Sequence, residues 1–402
     1  MNNDKKLYLF ATLASIGVLA TGLVVSNASG VEAFTHLFRS NNQNNWTITK
    51  SDLDVDQNTF TKLTSNNNPI VFNKSETSIS NVDPITGLSS VSFTSSNSVI
   101  KISTGFKEDK FLYERYIEND GSNEFNVSLY GERYINLSSL NEELAIDEVN
   151  IEYSCSGLEE EIYDSNLTFQ YNEGTESYSV GTPSTTIAKT MKTVLIPRYF
   201  DDGVNGEHFV TVVASSGFNA CTATEIYLPS TITKIESQGF YQCKKVKSIY
   251  LPDSITSLGS SSFNACSVLK HIRLSESLTK IDDRCFYECS ALESIHLPDS
   301  VSSLGSSEFT RDSLLSEVNC PRSLKTIGNS TFYIMDSLKS FTVTSNVTSI
   351  AFRAFKSCSA LEEVTYEGTI SDFNKIADSK WYEATTCPKL SVVHCSDGDI
   401  TL

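Results

Sequence analysis

The chain has little histidine and lacks the short motifs that mark common catalytic sites. Its five His residues are scattered over 402 positions, whereas a multi-histidine metal centre needs several of them brought together. No Gly-x-Ser-x-Gly elbow, phosphate-binding Gly-Lys-Ser/Thr loop, His-Glu-x-x-His pair or dinucleotide-binding Gly-x-Gly-x-x-Gly occurs in the sequence. These absences predict a protein that is not an enzyme, has no cofactor and carries no metal centre.

Basic residues are also scarce. The 31 Lys and Arg are outnumbered by 49 Asp and Glu, which gives a net charge of −18, and a chain of this sign repels the phosphates of nucleic acid. Residues 34–165 carry 9 basic against 21 acidic side chains, so this segment holds −12 of the −18. The uneven charge indicates a domain boundary after residue 165. It reflects either solubility or, as a sharper alternative, binding of calcium or a cationic ligand.

The first 33 residues have the pattern of an export segment. Lys5 and Lys6 precede the uncharged stretch 7–25, and the stretches 26–28 and 31–33 that follow both fit a small-x-Ala cleavage site, as in a secretion signal. The stretch is also long enough to cross a bilayer, with its basic start inside. Residues 1–33 are therefore predicted as a signal peptide or a membrane anchor. In both cases the remaining chain is secreted or at the cell surface, and it contacts a membrane only through this segment if the segment is not cleaved.

Residues 34–165 predict an all-β domain. Short alternating apolar runs, typical of half-buried strands, are separated by turn residues such as Asp83-Pro84, Gly87 and Gly121. The runs are 70–72, 91–93, 99–102, 125–129 and 149–153. Strands at this spacing, without a helical period, favour a jelly-roll-like β-sandwich.

Two patterns in this domain could mark ligand sites. Aromatic side chains that could stack on sugar rings, or that belong to the core, are Trp46, Tyr113, Tyr116, Tyr130 and Tyr134. The Asp52-x-Asp54-x-Asp56 pattern resembles the start of a calcium loop, but an EF-hand needs Gly at 57 and Glu at 63, where this chain has Gln57 and Leu63. We interpret the three aspartates as a solvated acidic turn.

A 23-residue repeat dominates residues 194–366. The stretch before it, 166–193, has no clear period and is predicted as a linker, or as a final strand followed by a linker. Phenylalanine recurs at this interval at Phe240, Phe263, Phe286, Phe309, Phe332 and Phe355. A further phenylalanine, Phe218, lies 22 residues before Phe240. Three residues after these positions come Cys221, Cys243, Cys266, Cys289, Asp312, Met335 and Cys358. Each coil also contains an Ile-x-Leu-type strand pattern, and one coil cannot bury its apolar edge alone. Stacked coils therefore predict a solenoid with a parallel β-sheet on one side and the Phe column inside.

The repeat resembles the BspA-like leucine-rich repeat family of cell-surface proteins. Stretches 228–243 and 251–266, which read LPSTITKIESQGFYQC and LPDSITSLGSSSFNAC, look like its consensus. The resemblance implies a leucine-rich repeat solenoid over 194–366, a first repeat lengthened by the loop 201–206, and a C-terminal cap over 367–402. It also implies interaction and adhesion, with no catalytic residue and no particular ligand.

Six of the ten Cys occupy repeat positions and are predicted as buried structural thiols, because a free Cys behaves as a small apolar residue. Cys285 takes a position that other coils fill with a small residue. Cys387 and Cys395 lie outside the repeats and form the pair most suited to a disulfide in an extracellular protein. A zinc site from these two thiols and His394 is a weaker alternative.

The outward positions of the predicted strands form the candidate partner-binding face. They are Tyr227, Tyr250, Arg273, His296 and Asn319, followed by Thr342 and Thr365. Solenoids commonly bind partners across such a sheet, and Tyr and Arg are frequent hot-spot residues. We therefore expect adhesion or protein binding, with an extracellular protein or glycoprotein as partner. The alternatives are a glycan-binding β-sandwich with the repeats as a stalk, which would make carbohydrate the partner, and a purely structural spacer.

Overall fold

The computed structural model describes residues 166–402 continuously and, before them, a set of strands between Tyr8 and Tyr153 together with residues 119 and 121–123. The chain divides into two compact units, Met1–Tyr163 and Asp164–Leu402.

The described elements of the first unit are all strands. They are β1 (Tyr8–Leu9), β2 (Leu23–Ser26), β3 (Glu32–Ser40), β4 (Asn45–Thr49), β5 (Thr59–Thr64), β6 (Ile70–Phe72), β7 (Ser78–Asn81), β8 (Leu88–Ser95), β9 (Val99–Lys107), β10 (Lys110–Glu118), β11 (Glu124–Ser128), β12 (Tyr134–Ser139) and β13 (Leu144–Tyr153). Their pairings are antiparallel and follow the order β10-β9-β12-β7-β3-β4-β5-β13-β8-β11. The five apolar runs of the sequence fall on β6, β8, β9, β11 and β13, which confirms them as strands. The sandwich arrangement stays a prediction.

Two of the aromatic residues considered for sugar stacking are buried. Tyr113 and Tyr116, on β10, are 4% and 8% exposed, so they belong to the core and cannot offer a ring face to a ligand. The side chains of Trp46, Tyr130 and Tyr134 lie outside the described residues, as do the aspartates of the predicted acidic turn.

Of the predicted export segment, the structure describes β1, β2 and the start of β3. Within the part of the chain that is described, no helix has the length and apolar composition needed to span a bilayer.

The second unit consists of many short strands and two short helices. They are β14 (Thr168–Asn172), β15 (Ser177–Gly181), α1 (Thr185–Ala188), β16 (Thr193–Leu195), β17 (Tyr199–Asp201), β18 (Glu207–Val213), β19 (Glu225–Tyr227), β20 (Lys234–Ile235), β21 (Ser248–Tyr250), β22 (Ser257–Leu258), β23 (His271–Arg273), β24 (Lys280–Ile281), β25 (Ser294–Ile295), β26 (Ser303–Leu304), β27 (Glu317–Val318), β28 (Thr326–Ile327), β29 (Ser340–Val343), β30 (Ser349–Ile350), β31 (Glu363–Tyr366), α2 (Ile370–Ile376), β32 (Val392–Cys395) and β33 (Gly398–Thr401).

The stretch 166–193, predicted as a linker, instead begins the solenoid. β14 and β15 form an antiparallel hairpin, and β15 continues in parallel register onto β18. Tyr178, Val180, Ala188 and Met191 are buried in the same core as the repeats. The prediction was wrong because the hairpin closes the open end of the first coil, and such a closing element need not follow the repeat period.

Each coil contributes to two parallel ladders where the sequence predicted one. The predicted ladder joins β16 to β19, β21 to β23, β25 to β27 and β29 to β31. A second ladder runs β18-β20-β22-β24-β26 and continues as β28-β30. The first repeat carries the expected insertion, since β17 and β18 form an antiparallel pair around residues 202–206.

The Phe column fills the interior, as the repeat spacing predicts. From Phe218 to Phe355 consecutive rings stack with centroids 5.0–5.8 Å apart and planes within 21° of parallel. The backbone at this corner is tied to the next coil as well, for example by Phe240 N donating to Ser262 O at 2.8 Å. The core is therefore continuous along the stack.

The Cys column adds a second set of contacts between coils. The thiols of Cys243, Cys266, Cys289, Cys358 and Cys387 each donate to the carbonyl oxygen of the column Phe in the preceding coil, for example Cys243 to Phe218, at 2.9–3.3 Å. These residues and Cys395 carry free thiols. A thiol in this column is a small apolar residue that also satisfies a buried carbonyl group, which explains its recurrence.

The C-terminal segment after Tyr366 is an altered coil. Trp381 lies against Phe355 with centroids 5.7 Å apart and planes at 86°, in the place of the next Phe of the column. Phe355 N donates to Trp381 O at 2.9 Å, and β32 adds to β31 in parallel before β33 turns back antiparallel. The segment thus continues the core by one layer and ends it.

Candidate protein-binding face of the solenoid

We use the term strand face for the outer surface of the ladder formed by β16, β19, β21, β23, β25, β27, β29, β31 and β32. Within each strand the side chains alternate, as in β21, where Ser248 is exposed and Ile249 is buried. Parallel strands lie about 4.8 Å apart, so nine of them extend over about 40 Å. A face of this length can hold the roughly 800 Å² that one partner contributes to an ordinary protein interface.

In the N-terminal half of the strand face, Tyr250 and Arg273 pack against each other. Tyr250, predicted as outward and available, is only 7% exposed, because the Arg273 guanidinium lies over its ring at 4.7 Å. Arg273 in turn makes a two-point ion pair with Asp253, one contact being Nη2 to Oδ2 at 3.0 Å, and donates to Leu251 O at 3.0 Å. Tyr250 and Arg273 therefore stabilise the face, and neither offers a free binding group. Tyr227 is half-buried.

His296 and Asn319 lie further along and differ from each other. His296 is exposed. Asn319 is half-buried, and its side-chain amide bonds twice to Leu297, accepting from the backbone N and donating to the backbone O, both at 2.7 Å. β25 ends at Ile295, one residue before His296, and β27 ends at Val318, one residue before Asn319. The amide of Asn319 therefore replaces the backbone pairing that stops at these residues. Asn319 thus helps to hold two coils together.

A depression of 710 Å³ lies in the strand face where these coils meet. Its lining residues are Ser294, Ile295, His296, Asp299, Ser316, Glu317, Val318, Asn319, Cys320, Arg322, Ser340, Phe341, Thr342, Thr344 and Glu367. Of the five residues predicted for the binding face, the structure brings only His296 and Asn319 into this site.

Small side chains create the depression. Cys320 takes the column position that Leu251, Leu274 and Leu297 occupy in earlier coils. The outward column also shrinks along the chain, from the large Tyr250 and Arg273 to Asn319 and Thr342. This loss of volume on neighbouring coils leaves the surface concave.

The rim of the depression is charged, and most of the surface that lines it is polar. Glu317 and Glu367 are exposed, and Arg322 lies 3.7 Å from Asp299 with 81% of its side chain accessible. Ile295 and Phe341 form part of the floor and are buried. Polar and charged groups therefore make up most of the surface that the depression offers to a partner.

Sequence reasoning missed Arg322 and Glu367. The available signal was the departure of Cys320 from the leucine column, which marks the coil where the surface changes shape.

A three-residue ionic cluster closes the C-terminal end of the strand face. His394 Nδ1 lies 2.8 Å from Asp399 Oδ1 and its Nε2 lies 3.5 Å from Glu363 Oε2. The hydrogen bond to Asp399, followed by the charges of Asp399 and Glu363, raises the pKa of His394 above its ordinary value. The cluster therefore links β31, β32 and β33 when His394 is protonated. Among the described residues no group of three or more His, Cys, Asp or Glu is arranged to hold a metal ion.

Comparison with known proteins places the repeats in a family. The model for the BspA type leucine rich repeat region matches residues 211–332 and 268–384, with six copies. No curated protein matches the chain.

Solved structures with a similar fold come from several bacteria. A leucine rich cell surface protein from Faecalibacterium prausnitzii is 24% identical with a TM-score of 0.46, over 51% of this chain and 54% of that one. This chain therefore spans about half of that protein's length. The T. pallidum leucine rich repeat protein is 20% identical with a TM-score of 0.38, over 52% and 86%. The pneumococcal vaccine antigen PcpA is 18% identical with a TM-score of 0.30, over 58% and 87%.

The stacked Phe column, the two parallel ladders and the family match over the same residues agree with one another. Residues 211–384 of this chain are therefore a leucine-rich repeat region of the BspA type.

Proposed function

We propose that this chain is a secreted or cell-surface adhesion protein, and that its strand face binds an extracellular protein or glycoprotein. The depression that contains His296 and Glu317 is the centre of the contact. The observation that carries the proposal is this concave site with a charged rim, on the same face where Arg273 covers the ring of Tyr250. The repeat type, which occurs in bacterial cell-surface proteins, supports the location and the general role.

The shape of the site favours a protein partner over a spacer role. A surface that only spaces two domains needs no departure from the leucine column, yet the adjacent residues Asn319 and Cys320 reshape the face within one coil. His296, Glu317 and Arg322 are exposed around the resulting depression, where a partner side chain could be enclosed. Buried groups at the centre of an interface carry most of its binding energy.

The test uses the full chain on arrays of purified matrix proteins and cell-surface glycoproteins, with a glycan array in parallel. The variant His296→Ala/Glu317→Ala/Arg322→Ala changes only exposed side chains of the depression. The control Lys234→Ala/Lys280→Ala/Thr326→Ala changes exposed residues of the second ladder. We expect the wild-type chain to bind one or more proteins on these arrays. Their affinity should fall at least tenfold, about 1.4 kcal/mol, in the first variant and stay unchanged in the control.

Equal affinity of both variants for every ligand would contradict the proposal, as would binding on the glycan array alone. The second result would favour the glycan-binding alternative for the first unit. A separate Arg273→Lys variant is expected to lower thermal stability without changing affinity, because Arg273 fixes Tyr250 and makes no contact with the depression.

A further inference from the structure

Two carboxyl groups lie inside the solenoid without a partner. Glu308 and Asp312 are both 0% exposed. None of their four carboxyl oxygens forms a hydrogen bond within the described residues. A buried polar group without a hydrogen bond destabilises the closed structure, and an ionised one does so far more strongly.

The neighbouring coils carry uncharged residues at the same two positions. Glu308 lies in the column of Gly239, Ser262, Cys285, Thr331 and Ala354. Asp312 lies in the column of Cys243, Cys266, Cys289, Met335 and Cys358. The two acids are therefore four residues apart in one coil and interrupt both columns at the same level.

The groups that face this pair offer no positive charge. From the preceding coil, the thiol of Cys285 and the carboxylate of Asp283 face Glu308. The thiol of Cys289 and the carboxylate of Glu288 face Asp312. The following coil presents the uncharged Thr331 and Met335 in the same columns.

Burial is the main cause that raises the pKa of both carboxyls well above the ordinary range. The charges of Asp312 and Asp283 raise the pKa of Glu308 further. The backbone N–H groups of Cys285 and Phe286 near Glu308, and of Cys289 near Asp312, lower these pKa values in part, although none of them reaches hydrogen-bond geometry. Burial therefore favours the neutral form of both side chains while the coil is closed.

We propose that Glu308 and Asp312 form a proton-dependent latch, which is closed while both carboxyls are protonated and opens locally as the pH rises. The coil that carries the latch leads directly into β27, the strand that carries Glu317. The inference does not depend on the identity of any partner, because it concerns the opening of the coil itself.

The direction follows from proton linkage. In an open coil the two acids titrate near pH 4, as in water. The closed coil keeps its protons to higher pH. Between the carboxyl pKa values of the open coil and those of the closed coil, the closed coil therefore holds more protons than the open one. Its stability is therefore complete below about pH 4 and declines as the pH rises. The opening equilibrium grows by up to about tenfold per pH unit for each carboxyl.

Amide hydrogen exchange of the full chain between pH 5 and pH 8 tests the latch. Rates are corrected for the intrinsic pH dependence of exchange, and peptides covering 283–312 are compared with the equivalent peptides covering 237–266, which lack the acids. We expect the opening constant of the first region to rise with pH relative to the second, by up to about tenfold per pH unit for each carboxyl. A constant ratio between the two regions would overturn the proposal.

Two variants separate the latch from a general loss of stability. Glu308→Gln/Asp312→Asn removes the charges at nearly equal shape, and Glu308→Thr/Asp312→Cys inserts the residues of neighbouring coils. If one of these double variants does not fold, the other still tests the latch. Both are expected to make the ratio independent of pH, whereas Glu276→Gln, at an exposed acid, leaves the wild-type profile. An unchanged pH dependence in a folded double variant would exclude these two carboxyls as its source.

Discussion

At the scale of single residues, each Phe of the column both fills one coil and contacts the next. Phe286 illustrates this, since its ring stacks on Phe263 and Phe309 with both centroids 5.8 Å away. Offset contacts between aromatic rings add stabilisation beyond the apolar area that they bury. A single ring therefore contributes to the interfaces on both sides of its coil.

We expect Phe286→Ala to lower the free energy of unfolding by about 3–5 kcal/mol, because it leaves a cavity and removes both stacking contacts. Phe209→Ala is the matched control, since that ring is 56% exposed and its loss should change stability by about 0.5 kcal/mol or less. Urea unfolding followed by circular dichroism measures both. Equal effects of the two substitutions would contradict the proposed role of the column.

At the scale of the elements, both backbone pairing and a side chain hold the strands of the strand face together. Between β25 and β27 the ladder consists of two residue pairs, and the amide of Asn319 extends it by its two bonds to Leu297. A side chain thus completes a ladder that the backbone leaves short.

We expect Asn319→Leu to lower the free energy of unfolding by about 1–3 kcal/mol, because the backbone N and O of Leu297 lose their partners. Asn319→Asp keeps the acceptor and removes the donor, so it should lower the free energy of unfolding by less than Asn319→Leu does. Thr342→Leu, in the same column on the next coil, is the control and should have a smaller effect. If all three variants unfold at the same urea concentration as the wild type, the amide has no structural role.

The last hairpin is the element most sensitive to pH on the strand face. The pKa of His394 is raised, so the contribution of its protonated form is complete below about pH 6.5 and is lost as the pH rises through the folded pKa. We expect an NMR titration to give His394 a pKa above the ordinary value, and Asp399→Asn to lower it, because the Asp399 carboxylate is the largest cause of the shift. No change in Asp399→Asn would show that Asp399 does not set this pKa.

At the scale of the whole molecule, both ends of the solenoid are closed by elements that depart from the repeat. The β14–β15 hairpin covers the first coil, and the segment with Trp381 and Cys387 covers the last. Each repeat contacts only its neighbours, so a solenoid without such ends exposes an apolar layer.

We expect deletion of residues 367–402 to cause aggregation, because it removes Trp381 from Phe355 and exposes the apolar side chains of the last coil. Size-exclusion chromatography with light scattering measures this. Deletion of residues 401–402 alone, which are exposed, is the control and should leave the elution volume unchanged. A monodisperse product of the long deletion would contradict the capping role.

Much of this architecture could be predicted from the sequence, and the reasons are local. Phe240 and its five successors share one interval, and stacked coils of constant length must bring equal positions together. The same argument located the Cys column and the strand of each coil. It could not identify the hairpin at 166–193 or the depression, because neither follows the repeat.

The candidate site was predicted only in part. The outward column was placed on the right strands, and His296 lies in the depression. Tyr250 and Arg273 were expected to be available to a partner, but the guanidinium covers the ring and binds Asp253. A column position gives the direction of a side chain and does not show which neighbour covers it.

The sequence by itself determined the coil length, the residues of the core and the side of the coil on which the strand face lies, because these depend on the periodicity of apolar residues. Only the tertiary structure decided which outward residues are accessible, how Glu308 and Asp312 are enclosed and where the surface becomes concave. These properties depend on side chains from adjacent coils, 20 or more residues apart in the chain, whose packing against one another no single repeat contains.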